Sequence, residues 1–323
     1  MAKGFNHATQ LAISSAASTG RLFGLSAAEI ANAIAIATVD NISLACVHAE
    51  PVSQWKGFSP GMTGMRAIYA ASLAKRGFDG PRGLFEGPDG LDRMFGQPIS
   101  ADWENSSLEF VTKTVLKKYC SLIHGQPVLE AVLDLKRSHA LVAADVERVR
   151  CEVFQGAFDF AGGGRYGSKD HPQAKEQADY NLKYLIAAAL LDDQVGPAQL
   201  QAARIQAPDA QALLALVEVR PDERFTARYP TELGARITIY TKEQGILVKE
   251  QRGWEGGLTN PMSWDRAVEK FQWLSEPFAD EDLRGRIIEA VQQLDRRPIS
   301  DLMDLLARVN PIAAFPATHP GVQ

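Results

Sequence analysis

Val146-Glu-Arg-Val149-Arg-Cys151-Glu-Val153-Phe154 is the stretch on which the fold turns. Val149, Cys151 and Val153 alternate with Arg148, Arg150 and Glu152, the two-residue period of a strand with one face buried. Upstream, the period is helical. Residues 9–25 are mostly small, with apolar side chains at Leu11, Ile13, Leu22 and Phe23, until Gly24 stops the pattern. Ser26-Ala-Ala-Glu29 forms a capping box, and a second alanine-rich helix follows over 30–39. A third runs over 61–76, with Met62, Met65, Ile68, Tyr69 and Leu73 on one apolar face, and Gly77-Phe-Asp-Gly80-Pro81 ends it. A fourth begins after Gly125.

Downstream of the alternating stretch lie the loop Gly162-Gly-Gly-Arg-Tyr-Gly167 and a long helix over 173–191. A strand over 213–219 and a hairpin pairing 235–240 with 246–250 follow. Helices return over 263–274, 280–293 and 300–308, each opening on a Ser or Asp suited to capping. The last residues, with Pro311, Pro316 and Pro320, read as a loose tail. This order implies an α+β protein. A mostly helical bundle domain is built from both ends of the chain (1–139 and 259–323), and 140–258 form an inserted α/β lid domain.

The 323 residues suffice for about two domains. A composition 46% hydrophobic and 23% charged is that of an ordinary globular protein. A net charge of −5 carries no electrostatic footprint for nucleic acid or a membrane surface. No apolar run approaches the ~20 residues that span a bilayer, and the N-terminus lacks a signal-peptide layout. Cys46, Cys120 and Cys151 are too scattered for a disulfide framework or a metal motif. The plain reading is a cytoplasmic protein with reduced thiols. HExxH, CxxC and the GxSxG elbow are all missing, so metal and serine-nucleophile chemistry have no sequence support.

What remains suggests a site for a small anion. His7 precedes the first helix, whose N-terminus favours a carboxylate, although an exposed terminal histidine is the plainer reading. Lys117, Lys118, Tyr119, His124 and Gln126 crowd ten residues ahead of the fourth helix. Two cations, a phenol and an imidazole there could bind a polycarboxylate and move a proton; a solvated loop fits equally. Lys56, between Trp55 and Gly57, could counter a carboxylate or simply lie at the surface. The glycine loop 162–167 lacks the residues of a phosphate loop and reads as a mobile lid loop. His48 and His139 have no partners nearby in sequence and read as surface residues.

Several segments together resemble the 2-methylcitrate dehydratase (MmgE/PrpD) family. Gly4-Phe5-Asn6-His7-Ala8-Thr9 is similar to its Gly-Phe-Asp-His-x-Thr. Ser53-Gln-Trp55-Lys56-Gly57, the helix ending Gly77-Phe-Asp-Gly80-Pro81, and Phe85-Glu-Gly-Pro-Asp-Gly90 follow in the family's order. Lys117-Lys118-Tyr119 through His124-Gly-Gln126 resembles Lys-x-Tyr-Pro-x-x-x-His-x-Gln. Ala178-Asp-Tyr180-Asn181 stands where Ala-Asp-His-Ser is usual, and Pro261-Met-Ser-Trp264 with Glu269-Lys-Phe271 closes the series.

The resemblance implies a homodimeric lyase, without metal or other cofactor, that eliminates water from a small hydroxy-polycarboxylate such as 2-methylcitrate. It places His124, His7 and Lys56 as catalytic residues, with Lys117, Lys118, Tyr119 and Gln126 binding the substrate. A cis-aconitate decarboxylase, or an isomerase or epimerase, is possible on the same scaffold. Family members carry about 130–150 further residues ahead of His7, beyond the usual domain prior, including a segment that supplies an imidazole and acidic groups. A catalytically inactive, truncated homologue that only dimerises or serves a partner chain is therefore a further alternative.

Overall fold

The computed structural model describes residues 3–100, 102, 104–105 and 109–310. The expected tail around Pro311, Pro316 and Pro320 lies outside the described residues. Helices outweigh one mixed four-stranded sheet, so the chain is α+β. It divides into two compact units, one formed by residues up to 113 with 119–252, the other by 114–118 with the residues from 253 onward.

In the first unit, α1 (Ala8–Leu22), α2 (Ala27–Val39) and α3 (Trp55–Ala74) pack against one another. Alanine makes this possible. Ala16, Ala33, Ala37, Ala67, Ala70, Ala71 and Ala74 fill the contact with Leu25, and such small side chains let helix axes approach closely. Gly20 is pressed so near Ile30 that an added Cβ would stand 2.8 Å from its Cγ1. The capping box is present: Ser26 Oγ accepts from Glu29 N at 3.4 Å, and Glu29 Oε2 accepts from Ser26 N at 2.7 Å. The apolar pattern misleads at α3. The helix starts six residues ahead of position 61, and it buries Ser59, Thr63, Ala67, Ala70, Ala71 and Ala74. Met65, Ile68 and Tyr69 are each more than half exposed, because only the small face fits against close neighbours.

The rest of this unit is α/β. α4 (Gln126–Ser138) is followed by β1 (Val146–Val153), α5 (Leu182–Asp192), α6 (Pro208–Ala215), β2 (Val217–Pro221), β3 (Ala235–Thr241) and β4 (Ile246–Gln251). The sheet order is β2-β1-β3-β4, with β1 parallel to β2 and antiparallel to β3, and β3–β4 the expected hairpin. Val149, Cys151 and Val153 are at most 1% exposed, as their alternation requires. α4 packs on β3, β4 and α5 rather than on the three alanine-rich helices, so it joins the sheet's core. Two sequence expectations are corrected here. The strand over 213–219 is helical as far as Ala215, since Pro208 at a helix start sets up α6. The long helix over 173–191 is two, Lys175–Ala178 and α5, because the Asn181 side chain accepts from Tyr184 N and caps a new start.

In the second unit Trp254 is buried and its Nε1 donates to Leu116 O at 2.8 Å. Gly256 takes φ +110°, and a Cβ there would meet that same carbonyl at 2.4 Å, so glycine is required. α7 (Trp264–Ser275), α8 (Glu281–Gln292) and α9 (Ile299–Leu306) follow. Ser263 and Asp280 cap α7 and α8 as expected, and Leu283, Ile287, Ala290 and Leu305 form the small core.

Candidate functional site

Two backbone hydrogen bonds lay the segment before α1 beside the 3-10 turn Ala45–His48: Asn6 N to Ser43 O at 2.9 Å, and Ala45 N to Gly4 O at 2.7 Å. They bring Asn6 against His48, with 3.1 Å between Asn6 Nδ2 and His48 Nε2. His48 is therefore no surface residue; it is 3% exposed. Its partners are distant in sequence, which is why local reading missed it. The ring stacks on Tyr180 at 5.3 Å and 14°, and meets Phe160 and Tyr166 edge-on at 5.2 and 6.1 Å. Burial first, and then the charges of Lys56, His7 and Lys169, hold its pKa down to about 4, with Asp179 opposing them.

The helix break at Asn181 is what presents Asp179 and Tyr180. Lys56 Nζ forms an ion pair with Asp179, donates to Glu176 O at 2.9 Å and lies 3.8 Å from the centre of the Tyr180 ring. Burial lowers the Lys56 pKa below the ordinary lysine range, while Asp179 pulls it back. Lys175 Nζ reaches the other oxygen of Asp179 at 3.0 Å. Two ammonium groups on one carboxylate leave a net positive charge. Burial, then Asp179, raises the Tyr180 phenol.

In the glycine loop 162–167, Gly163 and Arg165 are exposed while Gly162 and Tyr166 are buried. Tyr166 is buried, stacks on Phe160 at 4.7 Å, and its carbonyl accepts from Glu50 N at 2.8 Å. Three residues on, the buried Lys169 forms an ion pair with Glu50. Phe160 sits in a π-helical turn, Phe158–Gly162, a local distortion often found at functional sites. It contacts both imidazoles, its ring centre 5.2 Å from His48 and 6.0 Å from His124. His124, on the 3-10 turn Ile123–Gly125, also meets the edge of Phe154 at 4.9 Å.

Lys56 and His124 thus join one aromatic-lined cluster, together with His48, Tyr166, Asp179 and Tyr180, which sequence reasoning missed. Asp179 and Tyr180 lay within a quoted motif and Tyr166 within the glycine loop; His48 had no local signal. His7 is exposed at the start of α1, although its charge is felt at His48. Tyr119 and Gln126 spend their polar atoms on holding the loop. Gln126 Oε1 accepts from Tyr119 N at 3.0 Å, its Nε2 donates to Ser121 Oγ at 2.8 Å, and Tyr119 OH donates to Glu130 at 2.7 Å. Lys117 and Lys118 belong to the second unit, where Lys118 pairs with Glu255 at 3.0 Å and the Lys117 carbonyl accepts from Lys270. Among the described residues no group of three or more His, Cys, Asp or Glu could hold a metal ion. Nor is any helix among them long and apolar enough to cross a membrane.

Comparison with known proteins places these features in a family. The chain is 26% identical over 233 residues to a 2-methylcitrate dehydratase of Escherichia coli K12, covering 70% of this chain and 47% of that protein. It is 26% identical over 327 residues to the 2-methylcitrate dehydratase of Cupriavidus necator, covering 94% and 65%. A cis-aconitate decarboxylase of Aspergillus terreus is 24% identical over 313 residues, covering 91% and 62%. The chain thus spans about half to two thirds of the length of the relatives it matches. The model of the MmgE/PrpD N-terminal domain matches residues 1–104 and that of the C-terminal domain matches 119–296. With both domain models matched in order over most of its length, the chain belongs to the MmgE/PrpD family.

Proposed function

We propose that this chain acts as a hydro-lyase of the 2-methylcitrate dehydratase type, removing water from a small hydroxy-polycarboxylate without a metal. One observation carries the reading: Lys56, His48 and His124 gather around the partly buried rings of Tyr180 and Phe160, with Lys175 and Lys56 sharing Asp179. A polycarboxylate needs fixed positive charge, and aromatic surroundings that exclude water strengthen each electrostatic contact. In the elimination, a base takes the proton from the carbon next to a carboxylate. The electrons of that C–H bond form the double bond, and the neighbouring hydroxyl accepts a proton and leaves as water.

His124 is the base, since an imidazole titrates near neutral pH. The net charge of the Lys56–Asp179–Lys175 group stabilises the enolate-like charge. His7, at the open start of α1, serves the departing hydroxyl. The relatives that support this reading are themselves named as dehydratases, and the reading carries with it a homodimer of this chain. Likeness to a cis-aconitate decarboxylase over 91% of the chain makes decarboxylation the second reading.

Incubation of the chain with 2-methylcitrate and with cis-aconitate, followed by mass analysis, tests both. Loss of water with rising ultraviolet absorbance is the expected result, whereas released carbon dioxide identifies the second reading. Consumption of neither acid overturns both. His124→Asn is expected to lower turnover by about 10²–10⁴-fold, the usual contribution of a general acid or base, and Lys56→Met by about 10²-fold or more.

A further inference from the structure

Asn6 is buried, and the backbone decides which way its amide points. The Ala8 N–H, which can only donate, lies 3.0 Å from Asn6 Oδ1. The amino end of the amide therefore faces His48 Nε2, at 3.1 Å. An amino group also only donates, so Nε2 must accept, and a neutral ring then carries its proton on Nδ1. That Nδ1 is buried and has no hydrogen-bond partner among the described residues. Native interiors leave few such donors unmet, and each one calls for an explanation, a catalytic or binding role among them. The ring is walled by Tyr180, Phe160 and Tyr166, and the charged groups that bear on it are Lys56, His7, Lys169 and Asp179. The positive groups among them oppose a second proton on the ring.

We propose that His48 is a neutral hydrogen-bond donor of the site, presenting Nδ1–H to a carboxylate or hydroxyl oxygen of a bound polycarboxylate. This rests on the polycarboxylate reading above and adds a residue to it. His48 positions the ligand and takes no part in proton transfer. The imidazole, held to a pKa of about 4, is neutral at pH 7 and keeps a single donor in a single place. Asn6 is its positioning residue, acting only through the tautomer.

The test uses the full chain labelled with ¹⁵N-histidine and long-range ¹H–¹⁵N spectra at pH 7. The free protein is expected to show His48 protonated at Nδ1 and bare at Nε2. Tricarballylate, an unreactive tricarboxylate, is expected to shift that Nδ1 resonance. Asn6→Asp, which puts a carboxylate oxygen opposite Nε2, is expected to move the proton to Nε2. By calorimetry His48→Phe loses roughly tenfold to a hundredfold in tricarballylate affinity, the loss of one hydrogen bond to a charged acceptor. His48→Asn, whose amide N–H can stand near the Nδ1 position, recovers most of it. A free protein with His48 protonated at Nε2, or on both nitrogens, overturns the proposal without recourse to any variant. So does a ligand that shifts His124 but leaves His48 Nδ1 unmoved. If tricarballylate binds nowhere, the polycarboxylate reading fails and the acceptor half of this proposal fails with it, while the tautomer still reports separately on Asn6.

Discussion

Two regions of the first unit bury their side chains in opposite ways. Between α1, α2 and α3 the packed residues are almost all alanine, and the larger apolar side chains Phe58, Met65, Ile68 and Tyr69 are exposed. Beneath the sheet the reverse holds. Leu129, Leu185, Ile186, Val149, Ile237 and Ile239 are fully buried, and α5 is enclosed on nearly every side. Burial of apolar area stabilises by roughly 25 cal/mol per Å², so a leucine-filled core gains more per residue than an alanine seam. The α/β region thus buries the larger apolar side chains, and the alanine-rich helices fit closely through small ones. The site draws on both, His48 and Lys56 from the helical side and Tyr180 and His124 from the other.

The largest expected effect lies in the sheet's core. Leu185→Ala should cost about 2–5 kcal/mol, as truncations of buried leucine do, read from the midpoint of chemical denaturation. A change below 1 kcal/mol would erase the distinction between the regions. Next comes pH. The unfolded His48 takes up a proton near 6.5 and the folded one only near 4, so the unfolded state binds more protons in that window. Stability should therefore fall as pH drops through it, by about 3 kcal/mol when complete. In His48→Phe that part of the pH dependence should vanish.

Within α3 two neighbours sharpen the contrast. Ala67 is fully buried and Ile68 is 52% exposed. Ala67→Leu should cost about 1–3 kcal/mol by overpacking the seam, a change readable as a drop in melting temperature. Ile68→Ala should alter stability by no more than about 0.5 kcal/mol. If Ile68→Ala proved the costlier of the two, the assignment of the packed face would be wrong.

Local chemistry determined much of this protein. The alternation of Val149, Cys151 and Val153, the capping box at Ser26 and Glu29, and the caps at Ser263 and Asp280 are written within a few residues and came out as read. Lys56 and His124 were legible as candidates because each sits in a short, chemically unusual stretch. What only the tertiary structure decided depends on distant partners. Which face of α3 is buried follows from how closely α1 and α2 approach, and that is set by their own alanines. His48 acquires its role from Asn6, 42 residues away, and from Tyr180 on an element of the α/β region. Lys56 is held by Asp179, 123 residues on, and Asp179 is presented only because Asn181 caps a fresh helix. A sequence states what each side chain can donate, accept or fill, whereas burial and proximity, which convert those capacities into a site, are properties of the packed chain.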